Sequence, residues 1–158
     1  MKGQEYQARQ LVQKASAPVP KFEVIDSPAQ VAAALSRLGG GNVVVKAQVH
    51  AGGRGKAGYV VLSDKPADIE KHCQRMLAEP MVSKQTGPEG VVVRKILLAP
   101  AVEIDKEYYV GMVLDRAKSC PVMMVSREGG VEIAEVAATN PDAIIKEWLH
   151  PHLTLQAY

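Results

Sequence analysis

Apolar residues recur along this chain at two spacings, and the spacing changes wherever glycine or proline interrupts. Tyr6, Leu11 and Val12 form one narrow stripe, which predicts a helix from residue 2 to about residue 14 that stops before Pro18 and Pro20. Residues 22 to 25 read as a short strand. Ser27 and Pro28 then open a helix, with Gln30 three residues after the cap. Val31, Ala34, Leu35 and Leu38 fall on one face of it, and Gly39-Gly40-Gly41 closes it because glycine accepts the left-handed conformation that ends helices. Asn42 to Val49 is valine-rich and strand-like, and Tyr59 to Leu62 is a second strand. Pro66 to about Ala78 is helical, with Ile69, Cys73, Met76 and Leu77 on one side.

The later chain is read the same way. Residues 80 to 90 are turn-rich, and Val91 to Leu98 is a strand that stops at Pro100. Glu107 to Leu114 and Pro121 to Val125 are strands joined by DRAKSC, where Asp115 and Arg116 read as a turn with a local ion pair. Gly129-Gly130 is a tight turn, residues 131 to 136 read as extended, and Asn140-Pro141 opens a last helix that runs to about Trp148. Helices are interspersed among single and consecutive strands, without an internal repeat. This is an α+β layered fold with helices covering sheet faces.

Composition narrows the function. At 158 residues the chain has room for one ordinary domain or two small lobes. Aromatics are 4%, so the core is built from aliphatic side chains. The formal net charge of +2, with Lys and Arg scattered, gives no electrostatic footprint for nucleic acid or an anionic membrane. Cys73 and Cys120 are far apart and outside any C-x-x-C, which fits a reducing compartment better than a disulfide scaffold or a zinc site. No apolar run reaches membrane-spanning length, and the first fifteen residues carry no apolar signal core, so a cytoplasmic protein is expected.

The chemistry concentrates between the two valine-rich strands. Residues 53 to 60, GRGKAGYV, fit G-x-G-x-x-G-x-V. A dinucleotide fingerprint requires a helix straight after the glycines, and YVVLS is strand-like. A small-NTPase phosphate loop requires Ser or Thr after the lysine, and Lys56 is followed by Ala57. The protein-kinase loop sits between strands, but no H-R-D or D-F-G follows here. What remains is a strand–loop–strand hairpin with Lys46 in the first strand. Alternation puts Lys46, Gln48 and His50 on one face, opposite Val45, Ala47 and Val49. Glycine amides with Arg54 and Lys56 at the tip suit a phosphate; equally, the glycines serve a turn and the cations are solvated. From spacing alone both readings stand.

The string VVVKAQVHAGGRGKAG, residues 43 to 58, resembles the nucleotide-binding segment of the succinate–CoA ligase (succinyl-CoA synthetase) β-subunit family, an ATP-grasp family. EYQARQL near the start, QTGPEG, KEYYVGMVLDR and EGGVEIAEVA match the same family in the same order, so the resemblance covers essentially the whole chain. It implies an N-terminal ATP-grasp region: a small mixed-sheet lobe over residues 21–113, and part of a second lobe from residues 1–20 and 114–158. It implies ATP (or GTP) as the nucleotide, with Lys46 on the phosphates and Gly53, Arg54 and Gly55 forming a flap over them. Ala99 and Val102, at the end of ILLAP and just past it, would line the base and ribose, and Glu107 would approach from the neighbouring strand.

The resemblance further implies an α-subunit partner that binds CoA and bears a phosphorylated histidine, and magnesium held in the full-length protein by residues beyond Tyr158. It assigns no catalytic residue and no metal ligand to these 158 residues, so the isolated segment is expected to be inactive. The related readings are a sister acid–CoA ligase, such as one acting on malate, and a non-catalytic binding or assembly module. The sequence departs from the family at Ala99, where a glutamate is common, and at Ala134, where a second acid is common.

Overall fold

The computed structural model describes residues 3–150 and 152; the residue-2 start of the first predicted helix and the end of the 114–158 segment lie outside the described residues. The chain divides into two compact units, Met1–Val102 and Glu103–Tyr158. The division differs from the expected lobes. Residues 1–20 were expected with the second lobe and fall in the first unit, because the opening helix is hydrogen-bonded to that unit's sheet; residues 103–113 go to the second unit, whose first strand they begin.

In the first unit, α1 (Glu5–Lys14) precedes β1 (Glu23–Ile25). A 3-10 turn over Pro28–Gln30 leads into α2 (Val31–Leu38). Then come β2 (Val43–Ala47), β3 (Val60–Ser63), α3 (Pro66–Ala78) and β4 (Ile96–Pro100). The helix start follows the sequence in part. Ser27 Oγ accepts from the Ala29 N–H at 3.4 Å, but the Gln30 side chain takes the Asp26 N–H at 2.9 Å rather than closing a box on Ser27. Gly39 closes α2 at φ +90°, as the glycine run predicts.

The sheet runs β1-β4-β2-β3, and all three ladders are antiparallel. A mixed sheet was expected. The crossover through α2 does return β2 in the direction of β1, but β4 enters between them and runs the other way, so the two like-directed strands never pair.

One face of this sheet carries the core. Val43, Val45 and Ala47 of β2, Ile96 and Leu98 of β4 and Ile25 of β1 pack with Val31, Ala34, Leu35 and Leu38 of α2 and Ile69, Cys73 and Met76 of α3. Each large aliphatic side chain buried there contributes about 1.5–3 kcal/mol. Tyr59 pins the start of β3 to the end of α3: its hydroxyl donates to the carbonyls of Glu79 and Pro80 at 3.3 and 3.1 Å, and the Arg75 guanidinium lies over its ring.

Burial in this core pushes the Cys73 thiol up to about 12, helped by the nearby negative charge of Glu70. A raised thiol value means that the contribution of the buried neutral group is complete below the unfolded thiol's range and is lost as pH climbs towards the folded value. At pH 8 a maleimide should therefore modify the half-buried Cys120 first, with Cys73 reacting only in denaturant. Mass spectrometry of time-resolved labelling checks this, and equal rates at the two positions would show the packing to be wrong.

The second unit pairs β5 (Tyr109–Asp115), β6 (Cys120–Ser126) and β7 (Ile144–Trp148) as an antiparallel sheet in that order; α4 (Ile133–Thr139) and a 3-10 turn over Pro141–Ala143 lie between β6 and β7. Two elements differ from the sequence reading. Residues 131–136, expected extended, run into α4, where Ala and Glu favour helix over strand. The helix expected to follow Asn140-Pro141 stops after one 3-10 turn, and residues 144–148 form a strand because β6 offers a ladder that Ile144 and Ile145 suit. Asp115 does not pair with Arg116 as expected. Its Oδ1 accepts from the amides of Ala117 and Lys118 at 3.0 and 3.1 Å, and its Oδ2 accepts from the Trp148 indole at 2.8 Å. No described helix is long and apolar enough to cross a membrane.

Candidate nucleotide site

The face of the first sheet opposite the core is where the chemistry lies. Because Val43, Val45 and Ala47 turn into the core, Lys46 must turn the other way. The start of α1 docks beside it through Gln48, which is 1% exposed. The Gln48 side-chain oxygen accepts the Tyr6 N–H at 3.1 Å, its amide nitrogen donates to the Lys46 carbonyl at 3.2 Å, and its own carbonyl accepts from the Gln4 side chain at 3.1 Å. Lys95 completes the seat, donating to the Tyr6 hydroxyl at 3.3 Å.

That docking brings Glu5 onto the cations. Glu5 Oε1 accepts from Lys46 Nζ at 3.1 Å and from Arg9 Nη2 at 2.9 Å; Glu5 Oε2 accepts from Arg54 Nη2 at 3.0 Å. All four side chains are mostly covered. Burial alone pushes the Glu5 carboxyl up, but the charges and hydrogen bonds of Lys46 and Arg54 outweigh it and hold the group below its ordinary value, so it is ionised at neutral pH. Three cations share one carboxylate, and the cluster keeps a surplus of positive charge. Arg9 Nη1 is buried without a hydrogen-bond partner among the described residues, while its guanidinium lies 5.6 Å from the Phe22 ring centroid.

The glycine loop leaves the end of β2 directly beside this cluster. Gly53 stands at φ +75° and Gly58 at φ +74°, conformations that a side chain resists. Gly55 is different: its φ is ordinary and the space where a Cβ would lie is open. Arg54 was expected at the tip. It folds back instead, donating through Nη1 to the Ala47 carbonyl at 2.9 Å while Nη2 meets Glu5, so of the two loop cations only Lys56 is exposed. The loop's first stem is held from the QTGPEG turn. The Gly52 N–H donates to Gln85 Oε1 at 2.8 Å and the Ser83 hydroxyl donates to the Gly52 carbonyl at 3.3 Å, an approach that a Cβ on Gly52 would block.

The structure therefore gathers Lys46, Gly53, Arg54 and Gly55 at one end of β2. Ala99 sits on β4, 4% exposed and opposite Val44 in the ladder, which puts it on the same sheet face as Lys46. Val102 follows β4 and is 60% exposed. Glu107 belongs to the second unit, where it is exposed and makes no ion pair among the described residues; Gly129 and Gly130 lie against it, and a Cβ on either would overlap Glu107. Glu5 was missed as a site residue. It lies 41 positions from Lys46 and 49 from Arg54, so no local spacing reveals it.

The glycine loop joins two antiparallel strands, with no helix directly behind it. The profile of the ATP-grasp domain family matches residues 2–158. The chain belongs to the ATP-grasp family. It is 47% identical over 154 residues to the ADP-forming succinate–CoA ligase subunit beta of a Nitratiruptor species, covering 98% of this chain and 40% of that protein. It is 46% identical over 158 residues to the protein of the same name from Persephonella marina, covering 100% of this chain and 41% of that protein. The chain thus spans about two-fifths of the length of these curated relatives. Its fold is similar to part of the ATP citrate lyase from Methanothrix soehngenii solved with citrate and coenzyme A (TM-score 0.69, 16% identity, 97% of this chain and 36% of that one).

Chemically, this ATP-grasp segment offers cations and, in the exposed Gly53 and Gly55, accessible loop backbone. Among the described residues no three His, Cys, Asp or Glu side chains converge on one point.

Proposed function

We propose that this chain is the nucleotide-binding part of the β subunit of an ATP-dependent acid–CoA ligase of the succinate–CoA ligase type. The observation that carries the reading is the meeting of Lys46 and Arg54 beside an exposed glycine loop. The polyphosphate lies against Lys46 and the loop amides of Gly53 to Gly55, with Arg54 beneath it. Glycine at the tip lets backbone N–H groups approach phosphate oxygens more closely than any side chain permits. Phosphoryl transfer asks a protein mainly for positioning and charge neutralisation, which is what this cluster supplies. A loop that closes over the phosphates and excludes water suits a reaction that must hand a phosphoryl group to an acceptor rather than lose it to hydrolysis.

The base and ribose lie towards Ala99 and Val102. Alanine at 99 keeps the strand backbone and gives up the carboxylate common there, so affinity for the ribose side is lower than in relatives with glutamate. Glu107 is assigned to the nucleotide on the sequence resemblance alone. Magnesium and the acid-binding loops are assigned to the remainder of the subunit, and CoA with the phosphorylated histidine to an α-subunit partner. The isolated segment binds nucleotide without turnover.

The test uses Gly55. Because no neighbour meets a Cβ there and its φ is ordinary, Gly55→Ala leaves the melting temperature unchanged. If phosphate oxygens approach this backbone, the same methyl group weakens ADP binding by about tenfold, the size of one lost contact to a charged group. Amide NMR titration with ADP should show shifts at Lys46 and Gly53 to Gly58 in the parent chain and a right-shifted curve in the variant. Shifts elsewhere, or identical curves, would overturn the reading.

A further inference from the structure

We propose that Glu5 is a positioning residue for nucleotide binding: its carboxylate holds Lys46 and Arg54 together so that their remaining N–H groups face a single phosphate chain. The inference rests on the nucleotide reading above and assigns a role to a residue outside the glycine loop. Glu5 spans the two cations with separate oxygens, Oε1 to Lys46 at 3.1 Å and Oε2 to Arg54 at 3.0 Å. Without it, two like charges on independent elements, a strand and a loop, would repel and spread. Arg54 is gripped a second time by the Ala47 carbonyl at 2.9 Å, which fixes its guanidinium plane. Neither cation is used up. Lys46 keeps two of its three ammonium hydrogens and Arg54 keeps three of its five N–H groups, with Arg9 as a third positive charge on the same carboxylate. The cluster thus remains attractive to an anion while its geometry is set in advance, and pre-ordered side chains give up less rotamer freedom on binding.

The alternative role makes the opposite prediction, which is what gives the test its edge. If Glu5 were only a stand-in anion competing with phosphate, removing its charge would tighten nucleotide binding. If Glu5 positions the cations, Glu5→Gln keeps the shape, loses the charge that draws both cations in, and weakens ADP binding by about tenfold. Gln4→Ala is the control for α1 docking in general. It removes one of the docking contacts, to the Gln48 carbonyl at 3.1 Å, without touching the carboxylate; the Tyr6 contacts to Gln48 and Lys95 still seat α1, so ADP affinity should be nearly unchanged. Glu5→Asp keeps the charge on a shorter arm and should recover part of the loss.

The experiment is an ADP titration of the four chains by amide NMR, with thermal melts run alongside. Weaker binding for Glu5→Gln, near-parental binding for Gln4→Ala and partial recovery by Glu5→Asp support the role. Equal or tighter binding by Glu5→Gln overturns it and leaves the nucleotide reading intact. Equal weakening by Gln4→Ala also overturns it, since any loosening of α1 would then suffice. A parent chain that shows no ADP shift in the loop overturns the nucleotide reading and this one with it. Should Glu5→Gln melt early, Glu5→Asp against Gln4→Ala decides by the same criterion.

Discussion

Leu98→Ala is expected to cost the first unit about 2–5 kcal/mol. Leu98 is 0% exposed on β4, an inner strand of the four-stranded sheet, and its Cα partners are Val45 on one side and Glu23 on the other. Its side chain sits in the cluster that joins the sheet to α2 and α3, so truncation removes buried methyl groups and leaves a void that two paired strands resist closing. Against a total of about 5–15 kcal/mol for a domain of ordinary stability, such a loss is a large fraction. The melting temperature should fall by about 10 °C or more, since each kcal/mol moves it by about 4–8 °C at this size. Leu62→Ala, on β3 and 58% exposed, is the contrast, and should shift stability by less than about 0.5 kcal/mol. Urea titrations followed by far-UV circular dichroism measure both. Comparable midpoints for the two variants would mean that the packed face of the sheet has been misassigned.

The core face of α2, α3 and β2 was legible in the sequence, because it follows simple periods; the contrast between those two leucines was not, since Leu97 and Leu98 are both fully buried on β4. Val31, Ala34, Leu35 and Leu38 are the buried positions of α2, as a 3.6-residue repeat requires, and Ile69, Cys73 and Met76 are those of α3. Period-two alternation likewise gives Val43, Val45 and Ala47 of β2 to the core. The second unit was harder to read. Residues 144–148, IIKEW, suit a strand or a short helix equally well by periodicity, and what decides is a partner strand some twenty residues earlier, through pairs such as Ser126 with Ile144 and Val125 with Ile145. The order of strands in the first sheet was hidden for a related reason: insertion of β4 between β1 and β2 is a property of the assembled sheet and leaves no local mark.

The site divides along the same line. Gly53, Gly55 and Lys46 announce themselves by composition and by their place at a strand end. Arg54 was visible as a residue but not in its disposition, since folding back onto the Ala47 carbonyl depends on where α1 brings its carboxylate. Glu5 carried no signal of its own: an acid in the first turn of a helix is ordinary, favoured by the helix dipole wherever the helix goes. Its importance comes from tertiary docking through Gln48, a buried polar side chain that must find partners and finds them in α1.

Lys46→Met should lower ADP affinity by about 10- to 150-fold, which corresponds to the 1.5–3 kcal/mol of a hydrogen bond to a charged group. Methionine keeps the length and much of the apolar stem that lies across the sheet between Val60 and Leu97, so the strand should remain packed. The lost ion pair itself is a modest contribution, under about 1 kcal/mol for a partly exposed pair, and Glu5 retains Arg9 and Arg54 as partners. Folding should therefore survive while binding does not. The retained partners also sharpen the effect: with Lys46 gone, the Glu5 charge is shared by two cations instead of three, and the surplus positive charge that faces an anion shrinks. Lys56→Met removes the same charge from the exposed loop tip, where no described partner orients it, and should weaken binding far less. Calorimetric titration with ADP at two salt concentrations separates the cases, because the tip charge is screened by salt and the mostly covered Lys46 is screened much less. Lys46→Met binding ADP as the parent does, or Lys56→Met losing as much, would place the polyphosphate away from the end of β2.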